Sequence, residues 1–352
     1  MRFKELLKED QKQERFNFIL TKMKENPELV NKIFRLVKDD IAKAEKQDPE
    51  SMLQPQFTGK ERDYTFKGVL KNFVIAINNT PGDFNDIEEF LKSYGKVSYI
   101  DVNTLMKDGY NGWDNWLQGQ GNVQLDFIKQ LYDNLFDITL NISGSNRGPG
   151  EVGLALLSPD IKFATVGDLD INGVEVEVKG EASSGGGRLK NSNTDFGTAN
   201  LTKVYQQFNI PQENRPPDLP VGNAKTKRDN HFHDIAMYLE RIAEGAGTAY
   251  IKELFTATFK SGDQALIKNI VNNWKNMNRL DVSTLAGKIS YSNYANILKQ
   301  KGFSKFLFLK SKGKKSLSFD VDDYEKHLDK FKIGNLAWTD KQNGPAVQVS
   351  ML

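Results

Sequence analysis

Four acidic residues and one lysine lie close together on two short segments that alternate between apolar and charged residues. These charged residues are Asp168, Asp170, Glu175, Glu177 and Lys179. The dipeptide Asn172-Gly173 joins the two segments, and it is a strong signal for a β-hairpin because both turn positions need positive φ. The sequence therefore predicts a hairpin over residues 166–180 with its acids gathered at one end of a small sheet.

Strand alternation decides which of these side chains share a face. Glu175, Glu177 and Lys179 point to one side of the second strand, and the intervening valines point to the other. Like charges packed this closely destabilise a sheet face unless a counter-charge neutralises them. Carboxylate oxygens are the ligands that Mg²⁺ prefers, so a divalent cation could supply that charge. The alternative is an exposed edge hairpin protected by its charges, although edge protection favours lysine over acids.

Composition narrows the class of protein. The chain has 352 residues, no cysteine, 27% charged residues and a formal net charge of +2. Without cysteine there are no disulfides and no cysteine-based zinc site. No apolar run reaches membrane-spanning length, and the amino-terminal residues do not resemble a signal peptide. We therefore expect a soluble, intracellular protein, cytoplasmic in location, with no membrane partner.

The periodicity predicts a mixed α/β (α+β) chain in four regions. Residues 1–140 are mostly helical, with a break between two helices at Asn26, Pro27 in the first turn of the second helix, and one strand over Val69–Ile77. Residues 49–64 form a linker. Residues 141–194 carry a polar loop, a short helix from Glu151 and the acidic hairpin. Residues 195–287 form a helical insertion. Residues 288–352 carry a helix over Tyr294–Lys301, the buried strand Phe306–Leu309, a helix over Asp322–Phe331 and further strands.

A lysine stripe lies in the last region, where no acidic residue occurs between Asp281 and Asp320. Its members are Lys288, Lys299, Lys301, Lys305, Lys310, Lys312, Lys314 and Lys315. Such clustering is the electrostatic pattern of phosphate-backbone contact in a nearly neutral protein. The glycine-rich segment Gly180–Arg188 reads as a loop that could approach a ligand closely. The candidate DNA-contacting residues are Arg188, Lys190, Lys310, Lys312, Lys314 and Lys315.

Phosphodiester hydrolysis needs an activated water and neutralisation of the phosphate oxygens and the leaving oxygen, much of which Mg²⁺ can supply. The candidate carboxylates are Asp168 and Glu177 from the paired strands and Glu151 from the preceding helix. The carbonyl of Val178 can add a neutral ligand. Lys179, on the face of Glu177, can hold the attacking water and offset charge in the transition state.

The spacing of Asp168 and Glu177-Val178-Lys179 across a tight hairpin resembles the PD-(D/E)XK nuclease superfamily, and Gly150-Glu151 resembles its upstream acidic position. The resemblance implies a restriction-endonuclease-like fold, a mixed sheet flanked by helices in the order helix, three strands, helix, strand. It implies Asp168, Glu177, Val178 and Glu151 as metal ligands, the same three acids with Lys179 as catalytic residues, and Mg²⁺ as the cofactor, for which Mn²⁺ can substitute. It covers residues 144–187 well and the region after Tyr291 weakly.

Three features depart from the family pattern. Gly167 stands where a proline precedes the aspartate, although a Gly-Asp variant is familiar in the superfamily. Asp170 shares the face of Asp168, so either could bind metal, and we favour Asp168. The helix after the hairpin lacks a Gln-x-x-x-Tyr motif, which disfavours a recombination-type exonuclease.

The sequence thus predicts a Mg²⁺-dependent DNA endonuclease of the restriction, phage or mobile-element type. A homodimer is expected from mechanism, because double-strand cutting with one site per chain requires two chains. One alternative is a non-catalytic DNA-binding or assembly protein on the same fold. Another is a metal-dependent hydrolase of a different phosphate ester.

Overall fold

The helices and strands follow the hydrophobic periodicity of the chain. The structure, a computed structural model, describes residues 2–47, 66–142, 145–164, 167–181, 186–190, 258–337 and 346–352, with isolated residues between 206 and 256. The helices are α1 (Arg2–Glu25), α2 (Pro27–Gln47), α3 (Phe66–Asn79), α4 (Phe84–Ser93), α5 (Val102–Leu105), α6 (Trp113–Trp116), α7 (Leu125–Leu135), α8 (Glu151–Leu157), α9 (Gln264–Asn273) and α10 (Arg279–Gln300).

The strands are β1 (Gly109–Gly112), β2 (Leu140–Ile142), β3 (Ser145–Arg147), β4 (Ile161–Phe163), β5 (Leu169–Ile171), β6 (Val174–Gly180), β7 (Gly186–Lys190), β8 (Lys305–Lys310), β9 (Lys315–Asp320), β10 (Phe331–Ala337) and β11 (Ala346–Met351). The chain forms two compact units. The sheet unit comprises Met1–Gly185 with Phe303–Asp320, and the C-terminal unit comprises Gly186–Gly302 with Val321–Leu352.

The sheet unit is built on a mixed six-stranded sheet in the order β1-β9-β8-β6-β5-β4. Every neighbouring pair is antiparallel except β6 and β8, which run parallel. The inner residues of β8, Phe306–Leu309, are all buried, as the apolar run predicts. The α+β class is confirmed, and β6, which carries the acidic residues, lies in the middle of the sheet.

Helices α1–α4, α7 and α8 pack into the hydrophobic core of this unit. The prediction of a strand over Val69–Ile77 was wrong, because this run lies within α3. Its buried residues include Val69, Phe73 and Ile77, which fall on one helical face. The β-branched residues in the run suggested a strand, but the spacing of the buried positions decides in favour of a helix. The break at Asn26 and the first-turn position of Pro27 are confirmed.

Two segments predicted as loops contain strands. Leu140–Ile142 and Ser145–Arg147 pair as the antiparallel strands β2 and β3. The last three residues of the glycine-rich segment, 186–188, belong to β7, which pairs with β11. A Cβ on Gly186 would lie 2.0 Å from the carbonyl oxygen of Val349, so this glycine permits close strand pairing. The predicted linker over 49–64 and most of the predicted insertion helices before Phe259 lie outside the described residues.

The C-terminal unit holds a three-stranded antiparallel sheet in the order β10-β11-β7. Its longest helix, α10, includes the predicted helix over Tyr294–Lys301 except for its last residue. The helix predicted over Asp322–Phe331 is a 3₁₀ helix over Val321–Lys330. Across the described residues, no helix combines the length and apolar character needed to cross a bilayer.

Candidate active site

The acidic hairpin forms as its sequence predicts. Asn172 and Gly173 take φ values of 52° and 81°, which are the positive values that the tight turn requires. Asp170 lies opposite Glu175 in the register of β5 and β6, while Leu169 and Val176 face the core. Alternation therefore places the acids on the face of the hairpin opposite its buried apolar residues.

The structure separates the roles of the two aspartates. One carboxylate oxygen of Asp168, Oδ2, accepts a hydrogen bond of 2.8 Å from the backbone N–H of Val178. The same oxygen lies 3.5 Å from Nζ of Lys179. The carboxylate of Asp170 instead accepts from the N–H of Gly173 at 2.7 Å, which ties it to the turn. Asp168 therefore joins the end of β6, and Asp170 stabilises the hairpin turn.

The ammonium group of Lys179 contacts three oxygens. Besides Asp168, it contacts a carboxylate oxygen of Glu177 and donates to the carbonyl oxygen of Val178 at 3.1 Å. Glu177 is only 6% exposed. The set thus consists of two carboxylates and one carbonyl, the oxygen ligands predicted for a divalent cation, with a lysine side chain among them.

Glu151, the first residue of α8, is 4% exposed. Its Oε1 accepts a hydrogen bond of 2.7 Å from the N–H of Gly148, whereas its Oε2 is buried with no hydrogen-bond partner. Burial, followed by the charge of Asp168, raises the pKa of the Glu151 carboxyl well above its usual value. The charge of Asp168 therefore acts on Glu151, but Glu151, Asp168 and Glu177 do not bring one oxygen each within 4.8 Å of one another.

Burial also raises the pKa of Asp168, to about 6. The Lys179 charge opposes this rise, and the charge of Glu177 adds to it. Three carboxylates near the ammonium of Lys179 and the guanidinium of Arg147 still leave the site short of positive charge, which favours protonation of Glu151 and Asp168 or binding of a cation.

These residues fit Mg²⁺. The donor set of Glu151, Asp168, Glu177 and the Val178 carbonyl consists only of hard oxygens, which suit this ion. The unpartnered, buried Oε2 of Glu151 is the kind of atom that a bound cation would satisfy. Mn²⁺, which takes similar oxygen ligands, suits the same set.

The raised pKa of Asp168 predicts a pH-dependent stability in the absence of metal. In the unfolded chain this carboxyl titrates at about 4, so between there and about 6 the folded protein binds the extra proton. The free energy of unfolding contributed by Asp168 therefore falls as pH rises through this window. In EDTA, we expect Asp168→Asn to match wild type in Tm near pH 4 and to exceed it by about 2–5 °C above pH 6.

Thermal unfolding of both proteins at a series of pH values checks this expectation. Asp170→Asn, for which Gly173 remains a turn partner, is the control and should not reproduce the pH-dependent difference. A Tm difference between Asp168→Asn and wild type that stays constant over the whole range would contradict the raised pKa.

Glycines permit the close approach of the segments that carry the ligands. A Cβ on Gly167 would lie 2.9 Å from both Oε2 of Glu175 and the ring of Phe303, which accounts for glycine at this position. Gly180, at the end of β6, would place a Cβ 2.3 Å from the carbonyl oxygen of Pro149. The loop that leads to Glu151 therefore rests directly on the strand that carries Glu177.

Gly180→Ala should consequently destabilise the protein by about 1–3 kcal/mol, because the clash is with backbone and cannot be relieved by a rotamer change. Urea unfolding measures this effect. Gly112→Ala is the matched control, since the nearest atom to its added Cβ is 4.0 Å away, and we expect a change within about 0.5 kcal/mol. Equal stability of the two variants would show that the loop does not rest on β6 in this way.

Glu175 lies outside the group around Lys179. It faces Asp170 across the hairpin, and its Oε2 is buried without a hydrogen-bond partner. Burial and the charge of Asp170 raise the pKa of the Glu175 carboxyl. Among the described residues, the charges that act on Glu175 are those of Asp170 and Arg147.

The predicted DNA-contacting residues are distributed over both units. Lys312 is paired with Asp137 at 2.8 Å, and Lys314 lies 3.9 Å from Asp133 and over the ring of Trp113. Lys310 and Lys315 lie opposite each other on β8 and β9, and Lys315 is exposed. Arg188 and Lys190 lie on β7 of the C-terminal unit. Carboxylates of the sheet unit thus already engage Lys312 and Lys314, two of the four lysines of the stripe that are predicted to contact DNA.

Sequence reasoning missed Arg147, which it placed in a flexible polar loop. The side chain is 4% exposed and donates to the carbonyl oxygens of Gly167 at 3.0 Å and Asp168 at 2.7 Å. A lone arginine next to a Gly-Pro-Gly run carries no local pattern that reveals such contacts. The only sequence signal was its position four residues before Glu151.

Comparison with family models, with curated proteins and with solved structures finds no match to this chain. The functional argument therefore rests on the geometry of the site.

Proposed function

We propose that the chain is a Mg²⁺-dependent DNA endonuclease whose active site lies at the end of β6. The observation that carries the proposal is the contact of the Lys179 ammonium with the Asp168 and Glu177 carboxylates and the Val178 carbonyl, with the buried Glu151 carboxylate near enough for the Asp168 charge to act on it. The resemblance of these positions to the PD-(D/E)XK nucleases supports it. Arg188, Lys190 and the lysine stripe are the candidate DNA-contacting residues, and a homodimer would place two such sites on the two strands.

Glu151, Asp168, Glu177 and the Val178 carbonyl would hold the metal. A bound Mg²⁺ would acidify a water molecule and neutralise charge on the phosphate. The protein's own groups supply the rest. The carboxylates are fixed by backbone N–H groups of Gly148 and Val178, so they need little reorganisation. Lys179, already among the ligand oxygens, can orient the attacking water and stabilise negative charge on the phosphate oxygens.

The decisive experiment incubates supercoiled plasmid with the protein in Mg²⁺ and in EDTA. We expect nicked and linear DNA in Mg²⁺ only. Salt-sensitive DNA binding without metal-dependent cleavage would instead support a non-catalytic DNA-binding protein. Because Lys312 and Lys314 are already paired with acids, the assay should include bis(p-nitrophenyl) phosphate. Hydrolysis of this small diester without DNA cleavage would indicate a hydrolase of a different phosphate ester.

A further inference from the structure

A buried arginine connects the two segments that carry Asp168 and Glu151. The guanidinium of Arg147 donates through Nη1 to the carbonyl oxygens of Gly167 and Asp168, at 3.0 and 2.7 Å. Its Nη2 donates to the carbonyl oxygen of Ala164 at 3.3 Å. The group also lies over the ring of Phe163, 4.6 Å from its centre. Arg147 thus holds the backbone around Asp168 through hydrogen bonds to three carbonyl groups.

The chain that follows Arg147 leads to Glu151. Arg147 is the last residue of β3, and the next residue, Gly148, donates its N–H to Oε1 of Glu151. One residue therefore holds the main chain of Asp168, and its immediate neighbour holds the side chain of Glu151. A shift of Arg147 would move both carboxylates relative to each other.

This arrangement requires a guanidinium. A planar group with five N–H donors can serve several carbonyl oxygens at once, whereas an ammonium is a compact charge on a flexible stem. A buried cation is also costly unless its donors are satisfied, so the carbonyl contacts and the ring stabilise it in place. Its positive charge further lowers the pKa values of Glu151 and Asp168, against the effect of burial.

From these contacts we infer that Arg147 is a positioning residue that sets the placement of Asp168 and Glu151 for the site at the end of β6. The effect of this placement on catalysis rests on the proposed function. The placement itself is a property of the protein without metal. Arg147 does not need to touch substrate or metal to act in this way.

The test compares Arg147→Lys with Arg15→Lys. Arg15 is a matched control, because it donates to the carbonyl oxygens of Ile77, Thr80 and Gly82, away from the carboxylates. Hydrogen exchange measures the exchange rate of the Val178 amide, which donates to Asp168. Calorimetry measures the Kd for Mg²⁺. For Arg147→Lys we expect about tenfold or faster amide exchange and a Kd about 10–100-fold weaker. Arg15→Lys should change neither beyond its effect on global stability.

Phe163→Leu removes the ring beneath the guanidinium and serves as a second variant, in which smaller changes of the same direction are expected. Equal changes at Val178 in the Arg147 and Arg15 variants would overturn the inference, as would unchanged protection and Mg²⁺ affinity in Arg147→Lys. Failure of the wild-type protein to bind Mg²⁺ would refute the proposed function alone. The Val178 amide, which needs no metal, would still decide the role of Arg147.

Discussion

Replacing Lys179 by methionine should lower the rate of Mg²⁺-dependent DNA cleavage by about 10²–10³-fold. Methionine keeps the length and the apolar stem of the side chain but removes the ammonium that contacts Asp168, Glu177 and the Val178 carbonyl. In the proposed mechanism, that ammonium orients the attacking water and stabilises charge on the phosphate. Cleavage rates at saturating Mg²⁺, compared between wild type and Lys179→Met, measure the effect.

The same substitution should preserve or strengthen binding of Mg²⁺. The charge of Lys179 lowers the pKa of Asp168 and Glu151, so in the protein without metal it serves as a counter-charge to the carboxylates. Without it, the acids repel one another more strongly and depend more on a cation. We therefore expect Mg²⁺ to raise the Tm of Lys179→Met at least as much as that of wild type.

Lys162→Met is the control for charge removal on the same sheet. Lys162 is exposed on β4 and lies outside the group around Lys179, so its replacement should leave the cleavage rate unchanged. Equal cleavage by Lys179→Met and wild type would show that the ammonium has no catalytic role. Loss of Mg²⁺ binding in Lys179→Met would show that its role is structural.

Asp168→Asn should have opposite effects on activity and on stability. Asparagine has the shape of aspartate and can still accept from the N–H of Val178, so the hairpin geometry is retained. The loss of one buried negative charge should raise the free energy of unfolding without metal, at neutral pH, by about 1–2 kcal/mol. The loss of a ligand should weaken Mg²⁺ binding by at least about tenfold and abolish detectable cleavage.

Urea unfolding in EDTA, calorimetric titration with Mg²⁺ and the plasmid assay check these three expectations. Asp170→Asn is the matched control, because Asp170 is tied to the turn and should affect neither Mg²⁺ affinity nor cleavage. The reverse result, with Asp170→Asn inactive and Asp168→Asn active, would exchange the roles of the two aspartates. A less stable Asp168→Asn protein would contradict the shortage of positive charge at the site.

Local sequence determined the hairpin and several helices of this protein. The Asn172-Gly173 turn and the alternation on either side of it specify the faces of β5 and β6, because turn geometry and strand periodicity act between neighbouring residues. The same holds for the break between α1 and α2 at Asn26. The buried strand β8 also follows from its own apolar run. In the region of Val69–Ile77, the apolar run predicted a strand, but the residues form part of α3 and bury one helical face.

Only the tertiary structure decided how the separate parts of the site meet. The parallel pairing of β6 with β8 joins residues that are far apart along the chain, and no local pattern specifies that partner or its register. Asp168 and Asp170 differ in the hydrogen bonds that they accept, one from Val178 and one from Gly173, and this difference appears only in the folded chain. The residue types and their spacing predicted which side chains could hold a cation. Burial, which leaves Oε2 of Glu151 without a partner and raises the pKa of Asp168, depends on non-local contacts and appears only in the folded chain.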